Sequence, residues 1–152
     1  MANPDAVAQL YLDSFGNSRL GVATAVSLAT TANAVATIPL VVGGLTNSGN
    51  VTSSGSVIVR RVTISNPSAS SNNAYVTITT SSDANASNAI VSSVVLANIT
   101  AAGRYQDLTI AQPYLSNTAV SGATTSALYF NVTQGNGTAT VTVSVYGDVV
   151  SF

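Results

Sequence analysis

The sequence contains no cysteine, histidine, tryptophan, lysine or glutamate. Each absence removes a mechanism. Without cysteine there is no disulfide, thiolate nucleophile or zinc–thiolate site. Without histidine the commonest general base is missing, along with the one side chain whose ordinary pKa lies near neutrality. Without lysine no Schiff base can form. The carboxylates are Asp5, Asp13, Asp83, Asp107 and Asp148. They are scattered along the chain, so a catalytic pair would have to be assembled by the fold. Asp83 lies in the polar stretch 81–85, where a calcium site would want several carboxylates and a turn wants only one. The expectation is a protein that is not an enzyme, with no cofactor and no metal site.

Charge is scarce as well. Arg19, Arg60, Arg61 and Arg104 are the only cations, the formal net charge is −1, and 6% of residues are charged. A soluble domain carries about 25%. Such a chain has no basic stripe for nucleic acid. It also has little colloidal repulsion, and near-neutral surfaces associate readily. Its polar surface must be built from serine, threonine, asparagine and glutamine, which suits a protein housed in an assembly. The uncharged stretch 20–59 is interrupted by Thr24, Ser27, Thr30, Thr31, Asn33 and Thr37. It does not read as a membrane span. Asp5 stands where a signal peptide would carry a cation, so no signal peptide is expected.

What the chain does have is strand. The first 33 residues differ from the rest. Residues 5–12 (DAVAQLYL) suit a short helix after Pro4, with Val7, Leu10 and Tyr11 on one side, and residues 14–18 break it. Residues 21–33 are small and aperiodic. They fit either an extended arm lying on a neighbour or an edge strand packed on their own domain. We read them as an arm, because such a segment has little to bury. The division is thus an N-terminal arm over 1–33 and a β-sandwich domain over 34–152, with the sandwich expected to fold without the arm.

From residue 34 the apolar period becomes two. Strands are predicted at 34–42, with Pro39 forcing an edge position, at 57–65, 74–80 and 89–100, at 105–110, and at two late segments. In the first of these late segments Leu128, Phe130 and Val132 alternate with Tyr129, Asn131 and Thr133. In the second, Val141, Val143 and Val145 alternate with Thr140, Thr142 and Ser144. Gln134-Gly135-Asn136-Gly137 between them carries the Asn-Gly hairpin signal. The long link 112–126 suits a Greek-key crossing between sheets. About seven strands with regular turns predict an all-β fold, an antiparallel β-sandwich or jelly roll with an extended N-terminal arm.

Arg60 and Arg61 adjoin on a predicted strand, where neighbours face opposite ways. One arginine should therefore point inward or toward a partner. They suit an interface anchor or pairs with aspartates of the same chain. With no catalytic candidates, the candidate interface residues are the arginines and nearby aromatics: Tyr11, Phe15, Arg19, Arg60, Arg61, Arg104 and Tyr105. The six tyrosines suit either interfaces or a sugar-binding platform with asparagine and aspartate.

Four segments carry a resemblance: SVIVRRVTISNPS at 56–68, ITAAGRYQDLTI at 99–110, ALYFNVT at 127–133 and TATVTVSVYGDV at 138–149. In their order and pattern, residues 34–152 resemble the small β-sandwich decoration (cement) proteins of tailed-bacteriophage capsids. The resemblance implies a virion structural protein on the outer surface of the capsid. Its partners would be the major capsid protein and copies of itself, in a homo-oligomer that is a trimer rather than a dimer, with the arm reaching capsid subunits. It implies no catalytic residue. The alternative is a carbohydrate- or surface-binding β-sandwich module of a phage fibre or bacterial adhesin. Such a module would show a concave pocket of tyrosine, asparagine and aspartate in the isolated subunit.

Overall fold

The computed structural model describes residues 18–30, 35–41, 55–82, 88–100, 104–111, 115–118 and 125–151. The described strands are β1 (Ser18–Ser27), β2 (Ala36–Val41), β3 (Gly55–Ser65), β4 (Tyr75–Thr79), β5 (Ala89–Val95), β6 (Gln106–Leu108), β7 (Leu115–Thr118), β8 (Thr125–Gln134) and β9 (Thr140–Ser151). They form two antiparallel sheets. The first runs β1-β9-β3-β6, with β7 also paired to β3, and the second runs β2-β8-β4-β5.

Alternation along each strand supplies one apolar face. The first sheet contributes Leu20, Val26, Val59, Val62, Ile64, Val141, Val143 and Val145, all buried. The second contributes Ile38, Leu40, Val76, Ile78, Ile90, Val91, Leu128, Phe130 and Val132. Together with Leu28, Leu96 and Ile99 from the connections they make a single core cluster. Aliphatic burial holds the sandwich, since each such side chain contributes about 1.5–3 kcal/mol when fully removed from water. At the edge where β1 meets β2 the sheets come very close. A Cβ on Gly21 would lie 2.5 Å from the Pro39 carbonyl oxygen and 3.1 Å from Leu40.

The inward faces expected for 76–78, 128–132 and 141–145 are those observed, and Pro39 lies on an edge strand. Three expectations change. Residues 18–28, assigned to an arm, belong to the sandwich: β1 pairs with β9, and Leu20, Val26 and Leu28 are buried. Two register shifts and the left-handed Ala25 (φ 52°) break its alternation, which hid the strand. Residues 1–17, with the expected helix at 5–12, lie outside the described residues. Next, Asn136-Gly137 does not close a hairpin. β8 and β9 belong to different sheets, so this turn carries the chain across the core. It is fixed by Ala139 N–H donating to Asn136 O (3.1 Å) and Leu28 N–H donating to Ala139 O (2.9 Å). Finally, the link 112–126 does pass from the first sheet to the second, as expected, but it is not all connection: it contains β7, which extends the first sheet beside the lower half of β3.

Two outcomes follow. Removing residues 1–33 deletes the burial of Leu20, Val26 and Leu28. At about 1.5–3 kcal/mol each, that loss rivals a total stability of about 5–15 kcal/mol, so the truncated chain should lose its cooperative thermal transition. A normal melting curve would return β1 to the status of an arm. Val143→Asp places a charge on a fully buried position and should leave no soluble folded protein, as judged by circular dichroism.

Candidate functional site

The arginine pair sits on a β-bulge. Along the β3–β9 ladder Val59 pairs with Gly147, and the next pair is Arg61 with Tyr146. Arg60 is the extra residue. A bulge places two residues opposite one, so the strict alternation expected of neighbours fails here. Val59 and Val62 are both buried while both arginines reach the outer face. Gly147 opposite the bulge has no room for a side chain, because an added Cβ would run into the Ile58 carbonyl oxygen.

Each arginine pairs with an aspartate of the same chain. Arg60 Nε donates to Asp148 Oδ2 at 2.8 Å, with both side chains about half exposed (53% and 46%). Arg61 Nη2 donates to Asp107 Oδ2 at 2.7 Å, and Thr63 Oγ1 donates to the other carboxylate oxygen at 2.7 Å. Arg61 is the more enclosed, with its side chain 17% exposed. The register aligns Arg19 with Tyr146 and Tyr146 with Arg61, so the three form a row across β1, β9 and β3 on the outer face of the sheet.

A cleft of about 770 Å³ adjoins this row, lined by Ala97, Asn98, Thr100, Arg104, Tyr105, Gln106 and Asp107. It lies where the chain leaves β5, in the second sheet, and enters β6, in the first. Gln106 clasps its two sides. Its Oε1 accepts from the Asn98 backbone N–H at 2.9 Å, and its Nε2 donates to Val95 O at 2.8 Å. Asp107, held by Arg61 and Thr63, anchors the cleft to β3. Tyr105 is 62% exposed and Arg104 is exposed beside it.

The structure therefore splits the expected interface residues. Arg104 and Tyr105 come together in the cleft; Arg19 and Arg61 share the row; Arg60 stands beside them in its own ion pair. Tyr11 and Phe15 lie outside the described residues. Asn98, Thr100 and Gln106 were not singled out in the sequence. The break at residues 101–103 reads there only as a loop, and nothing local signals that Gln106 bonds back to Val95 and Asn98. No cluster of three or more His, Cys, Asp or Glu that could hold a metal occurs among the described residues. No helix among them is long and apolar enough to cross a membrane. Neither a protein-family model nor a curated protein nor a solved structure matches this chain.

Double-mutant cycles to alanine should separate the two ion pairs. The exposed Arg60–Asp148 pair should couple by about 0.5 kcal/mol or less. Arg61–Asp107, more enclosed and supported by Thr63, should couple by about 1 kcal/mol or more. Equal couplings would mean that the burial of Arg61 adds nothing.

Proposed function

We propose that this chain is a virion structural protein: a decoration protein bound to the outer surface of a tailed-phage head, where it stabilises the shell and catalyses nothing. The observation that carries the proposal is the strand order. With β6 and β7 taken as one interrupted strand, β1-β9-β3-β6 facing β2-β8-β4-β5 is the order of two interleaved Greek keys. That supports the jelly-roll form of the sandwich, an architecture recurrent in viral capsid and lectin domains and in cupins. Fold alone does not select among these. Composition weighs against the cupin, because a chain without histidine or glutamate lacks the usual ligands for a cupin metal, and it supports the shell reading, because a nearly uncharged surface suits dense neutral contact.

The free edges favour contact through faces and loops. β1 and β5 carry register shifts, β2 carries Pro39, and β6 is three residues long. All are features that discourage strand addition. In this proposal the outer row of Arg19, Tyr146 and Arg61, together with Tyr11 and Phe15, meets the major capsid protein or other copies of the chain. The assembly is a homo-oligomer, a trimer by likeness to the decoration proteins. A surface-binding module of a fibre or adhesin is a second reading, favoured by one feature, the cleft holding Asn98, Tyr105 and Asp107. The two readings differ in where the chain sits.

Particles from the source should decide. Immunogold labelling with an antibody to this chain should mark virion heads, and quantitative mass spectrometry should give a fixed ratio to the major capsid protein. Label confined to fibres or to a cell surface would overturn the shell assignment in favour of the module.

A further inference from the structure

We propose that the β5–β6 cleft binds a carboxylated sugar, a uronic-acid unit of an acidic polysaccharide, through Arg104 and Tyr105. This deepens the surface-binding reading and leaves the shell assignment untouched, because it is a property of the isolated subunit.

Charge selects an anion. Asp107 in the cleft wall is matched by Arg61, which donates to one carboxylate oxygen, while Thr63 donates to the other. Arg104 makes no ion pair among the described residues, so of the two charged groups that line the cleft it is the one without a charged partner among them. A guanidinium receives a carboxylate through two parallel hydrogen bonds. One arginine without a basic surround is a poor site for a nucleic-acid backbone.

Shape and the remaining groups select the sugar. The volume, about 770 Å³, falls in the range of about 300–1,000 Å³ typical of small-ligand sites. Gln106 spends both ends of its amide on the clasp and so provides a fixed wall. The Asn98 side-chain amide and the Thr100 hydroxyl line the cleft, make no hydrogen bond among the described residues and can meet hydroxyls. The Tyr105 ring, 62% exposed, offers an apolar face with a polar tip. A pyranose uronate presents a C–H face, hydroxyls and a carboxylate within one ring, which are the complements of tyrosine, amide and guanidinium. An acidic peptide supplies the carboxylate without the flat C–H face.

The test is titration of the full chain with a galacturonate tetramer, a neutral galactose tetramer and tetraglutamate, followed by nuclear magnetic resonance. The galacturonate tetramer should bind saturably, shift the signals of Asn98, Thr100, Arg104 and Tyr105, and weaken with added salt. Arg104→Gln should lower its affinity by about tenfold or more. Tyr105→Ala should also lower it, with an unchanged melting temperature, and Arg60→Gln, outside the cleft, should leave it unchanged. Failure of the galacturonate tetramer to bind at millimolar concentrations would overturn the proposal. So would equal binding of the galactose tetramer or tetraglutamate, or equal losses in Arg104→Gln and Arg60→Gln. None of these outcomes depends on whether virion heads carry the chain.

Discussion

The first sheet depends on the pairing of β3 with β9. This ladder runs from Gly55 opposite Ser151 to Ser65 opposite Thr142, and it joins segments far apart in sequence: Arg60 and Asp148 are 88 residues apart. β1 pairs only on the free flank of β9, and β6 and β7 only on the free flank of β3. None of these three has a place in the sheet until the central pair exists. Closing so long a loop costs entropy before any contact compensates it, so the fold belongs with slow, non-local β topologies. The bulge at Arg60 lies inside this ladder. It shifts the phase of β3 so that Val59 and Val62 both face the core while both arginines stay in water. A regular strand would have buried one charge, at a cost larger than the net contribution of either ion pair.

With so few charges, the polar accounting falls to hydroxyls and amides. On the side of the second sheet away from the core, Thr77, Thr79 and Asn131 are buried. Thr79 Oγ1 donates to Ser81 O at 2.7 Å and accepts from Asn131 Nδ2 at 3.0 Å, while Thr77 Oγ1 accepts from the Ser93 N–H at 3.1 Å. Ser93 has a left-handed backbone (φ 41°) in the register shift of β5, so this bond holds the bulge that blunts that edge. Each such bond nets only about 1 kcal/mol, but leaving these groups unpaired would cost more. Asn131 meets that cost at one atom, its Oδ1, which has no partner.

The periodicity of the chain showed most of the core and little of its connectivity. Leu128, Phe130 and Val132, and Val141, Val143 and Val145, alternate without interruption, and their burial could be read directly. β1 could not, because its alternation is broken twice by register shifts and its residues are small. The Asn136-Gly137 signal was real as a turn and misleading as a hairpin. A tight turn reverses the chain equally well within one sheet or between two, and only the pairing of β8 with β2 and β4 decides which. The opposite facing expected of the arginines failed for the same reason as β1, since period-two logic has no term for an inserted residue, whereas their pairing with aspartates of the same chain was one of the two readings the sequence offered. Arg104 and Tyr105 stood out in the sequence as interface candidates, and both are exposed. Their cleft did not stand out, because it depends on Gln106 bonding back to Val95 and Asn98 across the loop.

The cleft is well placed to be more than a gap between loops. It lies on the connection that carries the chain from β5 in one sheet to β6 in the other, so it borders both sheets. One wall is tied by Gln106 to the end of β5. The other continues into β6 and is tied through Asp107 to Arg61 and Thr63, on the strand that organises the first sheet. Loop residues fixed to rigid elements on both sides lose less freedom on binding than residues on an unanchored loop. Arg104 makes no ion pair among the described residues, while the Arg61–Asp107 ion pair stands at this wall. The outer row of Arg19, Tyr146 and Arg61 begins at that same arginine. A partner docked on the face of the first sheet, as proposed, would therefore touch the residue that holds one wall of the cleft.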